Sequence, residues 1–148
     1  MNESLENWVK FGFLKKHQTS AREIHDLLDV ARRDLADCQS EGLSADWKLN
    51  IAHNAALQIA AAALHVCGYT ATRSAHHYRT IQSLEHTLKL SKSQVQLFET
   101  FHKKRNVSGY DRVGMISDQE AEEMRLFAQT LLKTFLDWRS PEQPNVEL

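Results

Sequence analysis

The sequence predicts an all-α protein, an up-and-down antiparallel bundle of four to six helices. Three observations carry that expectation. The 148 residues hold only two prolines, Pro141 and Pro144, and five glycines, too little punctuation for a strand-rich chain. Apolar residues recur at three- and four-residue spacings through most of the length. Capping boxes of the Ser-x-x-Glu type stand at Ser20 to Glu23 and at Ser117 to Glu120, each just before such a periodic run.

Taken in order, LENWVKFGFLKK places Leu5, Trp8, Val9 and Phe13 on one side of a short amphipathic helix, within an extension over residues 1–19. The box at Ser20 opens a helix over Ala21 to Gln39 with Ile24, Leu27, Leu28, Ala31 and Leu35 on its stripe, ending near Glu41 and Gly42. Ser44 caps a third helix that runs to Cys67 and stops at Gly68. Its strongest stripe is Trp47, Ile51, Ala55, Ile59 and Ala63, and its many alanines permit close helix approach. TATRSA, residues 70–75, reads as a polar connector, and His76 to Leu90 resumes a helical pattern through Ile81, Leu84 and Leu88. Ser91 or Ser93 starts the next helix, with Val95, Phe98, Phe101 and His102 on one face. The last helix follows Ser117 and shows Ala121, Met124, Phe127, Leu131, Phe135 and Trp138. One domain over 1–140 and a fraying tail over 141–148 are expected.

Composition narrows the functional classes. A net charge of −1 excludes a wholesale polyanion binder, so any affinity for nucleic acid has to come from a local patch. Cys38 and Cys67 form no CxxC pair and read as buried free thiols. MNESLENWVK lacks the basic start and apolar run of a signal peptide, and the greasiest segment, Ala55 to Tyr69, is too short and alanine-rich to span a bilayer; a cytoplasmic protein without membrane contact is expected. There is no GxSxG elbow and no glycine-rich phosphate loop. Glu99 and His102 have the Glu-x-x-His spacing of carboxylate di-metal bundles, but no second pair exists and the other histidines show no ligand spacing. No metal site and no cofactor are expected, and His53 and His65 read as packed or rim histidines. His76 and His77 stand at a helix start, where free backbone N–H groups favour an anion, against the plainer reading of exposed histidines.

One stretch stands out, FHKKRNVSGYDRVG from Phe101 to Gly114. Arg105 continues the face of Phe98, Phe101 and His102, and an arginine is rarely carried inward without a partner or a task. Gly109 should break the helix and fold Tyr110 back towards Arg105. Two readings follow: a structural corner in which Arg105 pairs with an acid such as Asp111 and Tyr110 caps the core, or a functional one.

Arg105-Asn106-x-x-x-Tyr110 resembles the signature of the HEPN domains (higher eukaryotes and prokaryotes nucleotide-binding). Members of that family are helical bundles that carry an arginine, often followed by asparagine or aspartate, and then a histidine. Here the last position is tyrosine. The likeness extends over roughly residues 20–139, including the helix from Ala21, the apolar helix near Ala55 to Cys67, and His76 and His77. The resemblance implies a homodimer whose two motifs meet at the interface. In active relatives it implies a metal-independent ribonuclease, often the toxin of a toxin and antitoxin pair or a part of phage defence. Other relatives only bind nucleotides or nucleic acid.

Metal-free RNA cleavage needs a base for the ribose 2′-hydroxyl, a cation at the phosphate and an acid for the leaving oxygen. Arg105 suits the phosphate clamp, and Asn106 suits orienting the phosphate or holding Arg105. Lys103, Lys104 and Arg112 supply a local positive field. Tyr110, with an ordinary pKa of about 10, is a poor base but a competent hydrogen-bond donor to phosphate. His102, one turn before Arg105 on the same face, is the candidate for proton transfer. The expected alternatives are an RNA-cleaving toxin with a nucleotidyltransferase-like antitoxin, and a non-catalytic module that binds a nucleotide, RNA or a protein partner.

Overall fold

The computed structural model describes residues 2–73, 75–108 and 116–142. Among these residues the helices are α1 (Asn2–Lys10), α2 (Ala21–Asp37), α3 (Ala45–Val66), α4 (His76–Ser83), α5 (Lys92–Ser108) and α6 (Asp118–Glu142); the strands are β1 (Leu14–Lys16) and β2 (Tyr69–Ala71). The protein is an all-α helical bundle, as its scarcity of proline and glycine predicts.

Helix α3 is the axis, packed chiefly against α2 and α6 and touching α4 and α5 as well. Leu49, Ala52, Ala55, Ala56, Ile59, Ala60, Ala62 and Ala63 are all buried. A helix enclosed on several sides has no single apolar stripe, which corrects the expectation for Trp47: it is 62% exposed. The alanines make room for larger neighbours. Ile24 and Leu28 of α2, Phe98 of α5, and Met124, Leu131 and Phe135 of α6 fill the core around them. Burying a side chain of this size contributes roughly 1.5–3 kcal/mol over leaving it exposed.

The caps sit where the sequence places them. Ser44 Oγ accepts the N–H of Trp47 at 3.2 Å. The box at Ser117 is reciprocal, with Glu120 N–H donating to Ser117 Oγ (3.0 Å) and Ser117 N–H donating to Glu120 Oε1 (3.1 Å). Ser91 and Gln94 form the same closed pair at the start of α5. At α2 only half of the box has this form: Ser20 Oγ accepts the N–H of Glu23 at 3.1 Å, while the Glu23 carboxylate turns to Thr19 and His17.

Several boundaries differ from the sequence reading. Helix α2 ends at Asp37, before Gln39, and α4 ends at Ser83; Leu84 and Leu88 are still buried, in the turns that follow. Helix α6 continues past Ser140 to Glu142, and residues 143–148 of the expected tail lie outside the described residues. The larger correction concerns the N-terminal extension. LKK is a strand rather than the end of a helix, and it pairs antiparallel with Tyr69–Ala71 from the supposed connector, Leu14 opposite Ala71 and Lys16 opposite Tyr69. Strands this short show no readable alternation. Gly68, at φ +95°, turns the chain from α3 into β2, a conformation that side chains with a Cβ rarely adopt. Leu5, Leu14, Leu64, Tyr69 and Ala71 make a second small core, and the Arg79 guanidinium lies 3.6 Å over the Phe13 ring. No helix among the described residues is long and apolar enough to cross a membrane.

Candidate functional site

Helix α5 buries Val95, Phe98 and Phe101, so the same face carries His102 and Arg105 to a half-buried position at the bundle surface, with Asn106 exposed beside them. Opposite, α3 contributes His53, which is fully buried. The two imidazoles stack, centroids 5.1 Å apart and planes 17° apart, and His102 Nδ1 lies 3.0 Å from His53 Nε2. The edge of the Phe98 ring closes the far side of His53. Asn106 links this pair to the arginine: its Nδ2 is 3.5 Å from His102 Nε2, and its Oδ1 accepts from Arg105 Nη1 at 3.5 Å. His77, at the start of α4, sets its ring edge-on to His102 at 6.0 Å, and His76 follows at 5.6 Å from His77.

Arg105 and Asn106 also line an open cleft of about 530 Å³, together with Asp34 of α2 and Trp47, Asn50, Ile51 and Asn54 of α3. Asp34 is only 6% exposed, and it holds Asn54 Nδ2 at 2.7 Å and Arg33 Nη2 at 3.3 Å. The cleft thus offers a cation, three amides, a carboxylate and an exposed aromatic face.

Burial first, and neighbouring positive charge second, favours the neutral form of His53, His102 and His77. Burial, reinforced by His102, Arg105 and His77, pushes His53 down to about 3. Burial, with His77 and Arg105, also lowers His102, and burial with His76 and Arg105 lowers His77. An arginine beside an imidazole disfavours a second positive charge there, so His102 is a free base at neutral pH rather than a cation.

The other expected residues are distributed differently. Lys103 is exposed, whereas Lys104 donates to Glu120 at the start of α6 and is committed to that ion pair. Glu99 accepts the Tyr78 hydroxyl at 3.3 Å. Tyr110, Arg112 and Asp111 lie outside the described residues. Sequence reasoning missed His53 as a partner of His102, and it missed Trp47, Asp34 and Asn54. One signal was available for Asp34: like Arg105, it is a charged residue at helical spacing from apolar ones, here Ala31 and Cys38.

Comparison of the chain with family models, with curated proteins and with solved structures returns no match.

Proposed function

We propose that this chain is a HEPN-type RNA endonuclease that works without a metal ion, acting in the cytoplasm as the toxin of a toxin and antitoxin pair or in phage defence. The observation that carries this reading is the run from Arg105 and Asn106, which line a polar cleft, through His102 to the buried His53. Asn106 Oδ1 faces the arginine, so its amide nitrogen faces His102 Nε2. The amide nitrogen donates and His102 Nε2 accepts, so Nδ1–H of His102 donates to His53 Nε2. Arg105 clamps the scissile phosphate and stabilises the charge that builds on it; His102 Nε2 removes the proton from the ribose 2′-hydroxyl, whose oxygen bonds to phosphorus as the P–O5′ bond breaks, and the leaving 5′-oxygen takes its proton from water. Trp47 gives a base a face to stack on, and Tyr110 donates to the phosphate. Two copies of the chain form the working unit, and a nucleotidyltransferase-like protein is the cognate antitoxin.

Incubating wild type, Arg105→Ala and His102→Ala with mixed RNA in excess chelator tests this. The expected result is cleavage by wild type alone, leaving cyclic phosphate ends. Cleavage that persists in Arg105→Ala would overturn the assignment. A second reading, favoured by tyrosine standing at the motif's histidine position, is a binding module that uses the same corner. It predicts RNA or nucleotide binding weakened by Arg105→Ala, with no product from any variant.

A further inference from the structure

Three side chains distant in sequence meet at the other end of α3, and the RNA-cleaving reading uses none of them. His17 follows β1, its backbone N–H fixed to the Gly68 carbonyl at 2.9 Å. Glu23 lies in the first turn of α2, and His65 in the last turn of α3. Their donor atoms all fall within 4.8 Å of one another. His17 Nε2 is 2.7 Å from Glu23 Oε1, and His65 Nδ1 is 3.2 Å from the same oxygen.

The surroundings are those of a supported ligand set. Thr19 Oγ1 donates to Glu23 Oε1 at 2.6 Å and orients the carboxylate. His65 Nε2 lies 3.2 Å from Thr70 Oγ1, a contact in which either atom can donate; with the proton on Nε2, His65 takes the tautomer that metal-bound histidines use. Nδ1 of His65 is then a bare lone pair. It is wholly buried and lies 3.2 Å from a Glu23 carboxylate oxygen.

We propose that His17 Nε2, a Glu23 carboxylate oxygen and His65 Nδ1 bind one divalent transition-metal ion of the zinc type, with water in the fourth position. Tetrahedral zinc with bonds of about 2.0–2.2 Å sets its donors roughly 3.3–3.5 Å apart. The His65 to Glu23 separation of 3.2 Å already fits, and the 2.7 Å between His17 and Glu23 opens by a small turn of the His17 side chain, which is 27% exposed. Two imidazoles with one carboxylate select a zinc-type ion over magnesium or calcium, which take oxygen ligands. The ion ties the end of β1, the start of α2 and the end of α3 together. It shares no residue with Arg105, Asn106 or His102, so it acts as a fastening rather than as part of the cleavage chemistry.

The test uses full-length protein stripped with chelator, dialysed and checked for folding by circular dichroism. Zinc is titrated in competition with a chromophoric chelator, and cobalt(II) is added separately to read its visible absorption. One ion per chain is expected, with an absorption intensity typical of four or five ligands and a melting temperature that rises with zinc. Glu23→Gln should weaken zinc binding by more than the roughly 10–100-fold that loss of an outer supporting partner costs. His25→Ala, at an exposed histidine of α2, should leave it unchanged. His17→Ala, in the loop before α2, gives the same reading should His65→Gln fail to fold. Absence of stoichiometric binding to the folded chain, or equal binding by Glu23→Gln, overturns the site.

Discussion

His53 and His65 stand on one helix, about three turns apart, and are held in opposite company. His53 is sealed in the core against His102, with Arg105 and His77 adding to burial in driving it to about 3. His65 is also pushed down by burial and by His17, but the Glu23 carboxylate pulls the other way. One end of α3 therefore backs a cationic corner that opens on a cleft, and the other sits in a carboxylate-centred knot. The residue type and the helix are the same. What differs is the element packed across from each, and that decides the chemistry available.

The sharpest way to break this contrast is at the cationic end. His102→Ala should lower single-turnover RNA cleavage by about 10²–10⁴-fold, the usual worth of a general base, and Arg105→Ala by about 10²–10³-fold. Equal rates in wild type and His102→Ala would remove the proton-transfer role from this corner. Next in size, Phe98→Ala opens the wall against His53 and should cost about 3–5 kcal/mol in urea unfolding. A loss below 1 kcal/mol, read against about that uncertainty, would mean that the ring is not part of the seal.

A smaller effect follows from the sign of the His53 shift. Unfolded His53 takes up a proton near 6.5, but the folded chain resists until about 3. Its contribution to stability is therefore intact above pH 6.5, declines as pH falls through that window, and levels off below about 3. The slope is at most about 1.4 kcal/mol per pH unit. Urea midpoints at about pH 7.5 and 5 should converge in His53→Gln relative to wild type; parallel shifts would contradict the dry environment. Least of all, Lys48→Ala removes one of two cations that hold Glu122 down to about 2, a surface pair between α3 and α6. Such pairs contribute about 0–1 kcal/mol, so the melting temperature should barely move.

Much of the bundle was legible because helices announce themselves locally. Ser44, Ser91 and Ser117 mark starts, and the spacings on α5 and α6 name the buried residues Phe98, Phe101, Met124 and Phe135. Arg105, Asn106 and His102 were legible for the same reason, since they lie within two turns of one helix. Trp47 was misplaced because α3 is enclosed on several sides, and its alanines weaken any stripe. His53 and the His17, Glu23, His65 cluster were not readable at all. Each depends on contacts between segments far apart in sequence, and no local pattern encodes which helix lands opposite which.

The pairing of β1 with β2 has a consequence for how the chain is made. Leu14 and Ala71 meet only after all of α2 and α3 has been laid down between them, and closing so long a loop costs more entropy than folding α2 onto its neighbour α3. During synthesis β1 has no strand to pair with until Tyr69–Ala71 has cleared the ribosome. Residues 2–16 are thus made well before their partner, and β1 cannot dock as it does in the finished fold until β2 has followed it.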